Sequence, residues 1–314
     1  MTSLLVESPG LLTTVQDLGR PGFGARGISP SGAADPVALQ LGNSLVGNAP
    51  GAAALEMTLM GGNFILSEPT AIALAGSDFG ATLDGQALDT WRSYSVAAGE
   101  KLRIGSTRSG ARCYLCVAGG IQVEPFLGSA STHLVSGLGG FAGRSLRKGD
   151  LVKIRDAATT FVERALSSTT LRILQPRKVV VRVTDGPQFD LFSAESVRSF
   201  YESEFRVTEE SNRLGLHLEG PALKSTLQQE MITEGVTLGA IQITLSGQPI
   251  FLFVEQQTTG GYPKIANVIS ADLFRIGQLR PRDNIRFERV SFAQARAAWL
   301  ELRQLLASGD TLFA

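Results

Sequence analysis

Residues 64–88 read FILSEPTAIALAGSDFGATLDGQAL. Short apolar runs alternate with turn residues, and Asp84-Gly85 sits between two of them. Asp-Gly is a two-residue hairpin signal, because a turn that matches the twist of its strands needs positive φ at both central positions. The same texture extends outward to "EKLRIG" (100–105), "YLCVAGG" (114–120), "DLVKI" (150–154), "VVVRVTDG" (179–186), "AIQITL" (240–245) and "PIFLFVE" (249–255). Gly makes up 35 of 314 residues, above the usual roughly 7 %, as a fold with many tight turns requires. Short strands at this spacing predict a β-sandwich or barrel.

Helices are few but well signalled. Asp35 is placed to cap one, with Pro36 at its first position and Val37, Leu41 and Leu45 on one face before Gly47-Asn48. Ser193 caps a second, running through Val197 and Phe200. For the third, Ser291 and Gln294 form a capping-box pattern, and Gly309 follows the end. Phe292, Trp299, Leu302 and Leu306 are expected to pack as its buried face. A polar, Ser/Thr-rich stretch at 156–178 separates two strand-rich halves. Each half closes on a similar phrase, "LRKGDLVKI" (146–154) and "LRPRDNIRF" (279–287), which suggests two β domains of related architecture.

Hydrophobic residues at 43 % and charged residues at 18 % allow a substantial core. Lys+Arg and Asp+Glu balance at 29 each, so a nucleic acid is not expected as partner, since its binders carry a clustered basic excess. "MTSLLVESPG" lacks a basic n-region, and runs such as "IFLFV" (250–254) are too short to span a bilayer. A soluble, cytoplasmic protein with no membrane partner is expected. Cys113 and Cys116 form an isolated C-x-x-C within a strand-like segment, where odd spacing sends the side chains to opposite faces. With His133 and His217 the only histidines, no metal or redox site is expected.

Residues 15–36, VQDLGRPGFGARGISPSGAADP, contain Gly22, Gly24 and Gly27 in the order G-x-G-x-x-G. A dinucleotide-binding turn must follow an apolar strand and open a helix. Here "DLGRP" precedes and "ISPSG" follows, so the match is a coincidence. Gln16, Asp17, Arg20, Arg26, Ser29 and Ser31 nevertheless sit among glycines and prolines that fix the backbone. Such a loop can offer N–H groups and a guanidinium to an anionic ligand, or it can be a surface Ω-loop.

"TTVQDLGRPGFGARGISPSGAADPVALQLGNSLVGN" (13–48), followed by "AALEMTLMGG" (53–62), resembles the start of the family of 5-oxoprolinase C components, also described as the allophanate hydrolase subunit 2 or biotin-dependent carboxyltransferase type. The likeness continues in collinear order through "ALAGSDFGATLDG", "YLCVAGGI", "LGSASTHL", "GRSLRKGD", "TDGPQFDLF", "ESNRLGLHLEGP", "EGVTLGAIQI" and "EQQTTGGYPKIANVI". The resemblance implies a mainly β protein of two cyclophilin-like β-barrel domains, at 1–165 and 166–314, with a few short helices and a C-terminal helix. It implies a protein that works with two partners, subunits A and B, in the ATP-dependent opening of 5-oxoproline to glutamate. Relatives form part of the carboxyltransferase domain of urea carboxylase or join an antikinase complex. Three positions depart from the pattern: Ala130 stands where G-S-R-S-T has arginine, Glu255 replaces an aspartate, and "IQITLSG" lacks the usual prolines.

A lactam is a poor electrophile, so its opening demands activation by ATP and anion-stabilising donors at the reacting centre. "QTTGGYPK" supplies such donors: Gln257, the Thr258 and Thr259 hydroxyls, N–H groups at Gly260, Gly261 and Tyr262, and Lys264. It lacks the G-x-x-x-x-G-K-[ST] spacing of a Walker A loop; an ordinary Gly-Gly hairpin is the plain alternative. "GSASTH" places Ser129, Ser131, Thr132 and His133 together, but no G-x-S-x-G elbow is present, so polar ligand contacts are expected rather than a covalent serine. Asn212 and Arg213 suit a carboxylate or phosphate, or a solvated turn. Glu56 in "ALEMTL" is an acid where burial is predicted, and Arg20 is its expected partner. Lys264, Arg20 and Glu56 are the catalytic candidates. One pocket is expected to gather Arg20, Ser31, Thr258, Thr259 and Lys264, with the lysine outside the core.

Three functions fit this sequence. The first is the C component of 5-oxoprolinase, with ATP handled together with the partner subunits. The second is a carboxyltransferase component that receives biotin on another polypeptide, since no biotinyl-carrier lysine motif occurs here. The third is a non-catalytic regulatory module.

Overall fold

Leu83 pairs with Gln86 across the Asp84-Gly85 turn, whose φ values are +46° and +89°. The hairpin thus adopts the geometry its sequence predicts. The computed structural model describes residues 2–156, 161–174, 180–227 and 231–314. It divides into two compact units, neither of them a single run of sequence: Met1–Arg20, Ser31–Gln175 and Ser308–Ala314 form one, and Pro21–Pro30 and Pro176–Ala307 the other.

The first unit carries strands Ser3–Ser8 (β1), Leu12–Gln16 (β2), Ala54–Thr58 (β3), Asn63–Leu66 (β4), Thr70–Gly76 (β5), Thr82–Leu83 (β6), Gln86–Ala87 (β7), Arg92–Val96 (β8), Lys101–Arg103 (β9), Arg112–Val117 (β10) and Leu151–Lys153 (β11). They form two antiparallel sheets, ordered β11-β1-β4-β9-β6-β7 and β2-β3-β10-β5-β8. Both sheets feed one core, in which Leu4, Val6, Phe64 and Leu102 of the first meet Leu55, Met57, Leu74 and Leu115 of the second. Helix Pro36–Leu45 (α1) packs on β5 and β10. Asp35 caps it by accepting from Ala38 N at 2.8 Å, with Pro36 at the first position as predicted. A side chain at Gly42 would meet Cys116 Sγ at 2.7 Å and Ala75 Cβ at 2.9 Å, so glycine sets how closely the helix approaches the sheet.

Cys113 lies in the core cluster, while Cys116 faces α1. The two thiols therefore occupy opposite faces of β10, as their odd spacing requires. Of the polar stretch 156–178, residues 157–160 and 175–178 lie outside the described residues. A short helix, Ser168–Leu174 (α2), lies within it and buries Thr170 and Leu174.

The second unit carries Val180–Asp185 (β12), Phe205–Val207 (β13), Gly215–Glu219 (β14), Glu234–Gly235 (β15), Ala240–Ile243 (β16), Pro249–Leu252 (β17), Thr259–Gly260 (β18), Lys264–Val268 (β19) and Asn284–Arg289 (β20). Seven of them close a barrel in the order β12-β19-β16-β17-β14-β13-β20, sealed by the parallel pairing of β20 with β12. β15 and β18 form a separate two-stranded ribbon. Helices Ala194–Glu202 (α3), Leu273–Ile276 (α4) and Phe292–Leu306 (α5) complete the unit. Phe200 of α3 stacks on Phe287 of β20 with ring centroids 4.2 Å apart, and Phe205 and Phe251 pack around Phe287. Ser193 caps α3, and α5 begins with the Ser291–Gln294 capping box.

The expected face of α5 is sheltered at its C-terminal end, where Leu302 is buried and Leu306 half-buried, and open at its N-terminal end. Phe292 is 76 % exposed and Trp299 39 %, whereas Leu302 is the buried residue of the helix. Ala295, Ala298, Leu302, Leu305 and Leu306 are the sheltered positions. The sheltered stripe thus combines two alanines with three leucines and leaves out Phe292 and Trp299.

The two closing phrases fold alike. Arg147 N donates to Asp150 Oδ2 at 2.7 Å and Arg280 N to Asp283 Oδ2 at 2.8 Å. Gly149 and Arg282, at the same place in each turn, have φ of +88° and +76°. Each turn then delivers a strand, β11 in one unit and β20 in the other.

Candidate functional site

The sequence candidates fall into two constellations, one in each unit. In the first, β2 ends at Gln16 and the chain enters a loop closed at its base, where Ala33 N donates to Asp17 O at 2.8 Å. The interior holds a 3-10 turn, Gly24–Arg26, and α1 begins only at Pro36. The G-x-G-x-x-G glycines thus open no α-helix.

Asp17 organises this loop. Its Oδ1 accepts from Ser129 Oγ at 2.6 Å, Ser131 Oγ at 2.6 Å and Gly19 N at 2.8 Å, and its Oδ2 from Ala130 N at 2.7 Å. The contact at Ala130 uses its backbone, so the absent arginine side chain leaves the tie intact. Thr132 donates to Val15 O through both N and Oγ1, each at 3.0 Å. His133 Nδ1 accepts from Ser136 N at 3.1 Å. The serine hydroxyls are thus directed to Asp17 and the imidazole to its own turn.

Arg20 is buried. Its Nε donates to Phe126 O at 3.3 Å, its Nη2 to Ser131 O, and the guanidinium lies 5.5 Å from the Phe126 ring centroid. Glu56 pairs with Arg112 (Nε to Oε1, 3.8 Å) in place of the Arg20 expected from sequence. Glu56 Oε2 also accepts from Tyr114 Oη at 2.7 Å and Ala34 N at 2.8 Å, and Asp35 N donates to the same phenol at 2.7 Å. Burial, with the Glu56 charge next in weight, holds the Tyr114 phenol well above its ordinary range. This network joins β3 and β10 to the start of α1. Gln16 Oε1 and Ser31 Oγ are buried without a hydrogen-bond partner, a condition costing about 1–3 kcal/mol per group unless another molecule satisfies it. Ser31 also holds φ at +53°.

The second constellation surrounds β18 and β19. Lys264 is 3 % exposed, so the lysine expected outside the core is inside it. Its register partner on β16 is Gln242, beside a bulge at Ile241–Gln242. Lys264 Nζ stands 2.5 Å from Glu234 Oε1, a close ion pair. Gln188 Nε2 donates to the same Glu234 oxygen at 2.8 Å, and Gln188 Oε1 accepts from Lys264 N at 3.2 Å. The contact with Lys264, and then the hydrogen bond from Gln188, hold the Glu234 carboxyl below its ordinary range.

Thr258 and Thr259 lie at the ribbon, where Thr258 O accepts from Val236 N at 3.1 Å. Thr259 and Gln257 are exposed, and Gly261 and Tyr262 half-buried. At Gly260 a side chain would meet the amide ends of Gln242 at 2.6 Å and Gln257 at 3.0 Å, so both glutamines close over this glycine. Gln242 Nε2 donates to Tyr262 O at 3.4 Å, and Gln256 Oε1 is buried without a hydrogen-bond partner.

Arg213 is buried with its Nε 2.5 Å from Glu255 Oε1, a pair that joins β14's entry to the end of β17. Asn212 Oδ1 accepts from Leu214 N at 2.8 Å and shapes that turn. Sequence reasoning missed Glu234, Gln188, Gln242 and Gln256. Gln242 carried a signal, a polar residue inside the apolar run "AIQITL"; Glu234 and Gln188 carried none, since only the fold brings them to Lys264.

The described residues contain no group of three or more His, Cys, Asp or Glu placed to hold a metal ion, and no helix long and apolar enough to cross a membrane. Residues 26–289 match the model of the carboxyltransferase domain, subdomain A and B. The C component of 5-oxoprolinase from Escherichia coli (strain K12) is 38 % identical over 297 residues, spanning 94 % of each chain. The chain belongs to this family. Membership extends to a segment of much larger proteins: the urea amidolyase of Saccharomyces cerevisiae is 32 % identical over 94 % of this chain but only 17 % of its own length. The crystal structure of the K. lactis urea amidolyase superposes with a TM-score of 0.92 at 30 % identity, covering 98 % of this chain and 20 % of that one.

Proposed function

We propose that this protein is the C component of a cytoplasmic, ATP-dependent 5-oxoprolinase, contributing to a composite site that opens 5-oxo-L-proline to L-glutamate with partner subunits A and B. The observation that carries the proposal is the match to a stand-alone C component over 94 % of both chains, set beside a buried ammonium at the Thr258–Lys264 segment. Opening the lactam places negative charge on the carbonyl oxygen, and the substrate carries a carboxylate as well. Lys264 is suited to neutralise one of these charges, with the Thr258 and Thr259 hydroxyls orienting the ring. A donor fixed before the reaction begins costs no reorganisation as charge develops. Glu56 and Arg20 are engaged by their own unit, so the proposal gives the contact with the developing anion to Lys264 and a loop-holding role to the other two.

ATP would supply the activation. Among the described residues no glycine-rich turn opens an α-helix, and Asp35 caps the N-terminus of α1. This reading has ATP handled together with the partner subunits. A second reading draws support from the carboxyltransferase family model and the urea amidolyase superposition: the same donors would hold the carboxylate of carboxybiotin carried by another polypeptide.

Co-expression with the neighbouring subunits, followed by assay of glutamate from 5-oxoproline with and without ATP, tests the first reading. Activity should require all subunits and ATP. Lys264→Ala in that complex should cost roughly 2–4 kcal/mol of transition-state stabilisation. ATP-independent lactam opening by this chain alone, or full activity of the variant, would overturn it.

A further inference from the structure

Lys264 is the buried lysine among the described residues, and its partner is not buried with it. Glu234 has 43 % of its side chain exposed, against 4 % for Lys264. The carboxylate stands on β15, which is held to β18 by a pairing of two residues on each side. Lys264 itself sits in a barrel strand bonded on both flanks, to β12 and to β16. One partner of this ion pair is fixed and the other rides on a short ribbon. Both Lys264 Nζ and Gln188 Nε2 converge on the same oxygen, Glu234 Oε1. They form a two-donor cradle that one carboxylate oxygen fills.

We propose that Glu234 is a resident counter-ion that a carboxylate ligand displaces, so that the Lys264–Gln188 cradle receives the carboxylate of a small acid while β15 parts from β18. The inference rests on the assignment of Lys264 as the anion-binding residue of the proposed function, and adds to it the ligand class and the gate. An ammonium buried to this degree needs a counter-ion at all times. The half-exposed carboxylate supplies one without ligand and recovers water contact when it leaves, which makes it the partner cheapest to release. Exchange of one carboxylate for another leaves the charge of the cradle unchanged. A ligand with an amide in place of its carboxylate would instead leave the ammonium uncompensated, so the gate selects acids.

The test measures the dissociation constants of 5-oxo-L-proline and of acetate for the full chain, by titration calorimetry, in wild type, Glu234→Gln and Lys264→Met. Glutamine keeps an oxygen for both donors and removes the competing charge, so Glu234→Gln should bind either acid about two- to fivefold more tightly, the worth of a partly exposed ion pair. Lys264→Met should lose binding, and acetamide should bind none of the three. Hydrogen exchange supplies the second readout: saturating acid should speed exchange at Val236 N, whose bond to Thr258 O closes the ribbon. If Glu234→Gln binds no tighter while Lys264→Met loses binding, the gate is refuted and the site survives. If Lys264→Met binds as wild type does, or neither acid binds wild type at concentrations up to about 100 mM, the site assignment falls, and the gate with it.

Discussion

The Glu234–Lys264 pair should respond unequally to the loss of its two members. In Lys264→Met the remaining carboxylate, 43 % exposed, turns to water, and methionine replaces much of the aliphatic stem. The loss is then that of a partly exposed ion pair, about 1 kcal/mol or less. In Glu234→Ala the ammonium stays behind in a strand bonded on both flanks and 3 % exposed. Breaking a buried pair by removing one partner costs about 3–5 kcal/mol, because an uncompensated charge remains. The ribbon can yield and admit water, so the lower end applies, about 3 kcal/mol. For a unit of this size that corresponds to roughly 6–12 °C in Tm, against a few degrees for Lys264→Met. Calorimetric melting together with hydrogen exchange at the β16 and β19 amides would separate this unit from its neighbour. Equal losses for the two variants, or a larger loss for Lys264→Met, would refute the asymmetry and the description of Glu234 as the releasable partner.

The same pair sets a pH dependence. The Glu234 carboxyl is held below its ordinary range, so its contribution is present above about pH 4.3 and lost as pH falls through the depressed value; the stability gap between wild type and Glu234→Gln should close over that window in acid denaturation. Glu56→Gln should cost about 1–3 kcal/mol by weakening the buried network with Arg112, Tyr114 and Ala34, seen as a lowered melting temperature of the first unit. Burial drives both thiols far above their ordinary range, so a chromogenic disulfide reagent should count no reactive cysteine in the native chain and two after denaturation.

Local chemistry was legible in the sequence wherever the cause was local. The Asp84-Gly85 hairpin, the Asp35-Pro36 and Ser291–Gln294 helix starts, and the opposed thiols of Cys113 and Cys116 each depend on a few adjacent residues. So does the recurrence of "LRKGD" and "LRPRD", because an Asp bonding to the N–H three residues back needs no distant partner. The candidate loops were visible for the same reason: their glycines and prolines constrain the backbone whatever surrounds them.

Tertiary structure decided the pairings. Glu56 in "ALEMTL" announced a buried carboxylate, but Arg112 became its partner only because β10 lies beside β3. The face of α5 is legible only in part, because periodicity names the apolar positions and not the neighbour they meet: Leu302 and Leu306 are sheltered, while Phe292 and Trp299 are not. Lys264 looked like a surface loop residue until β19 was bonded between β12 and β16. Its counter-ion Glu234 and the amide of Gln188 lie 30 and 76 residues away in the chain. A strand carries its side chain to whichever element the sheet order sets beside it, and that order is a property of the whole fold.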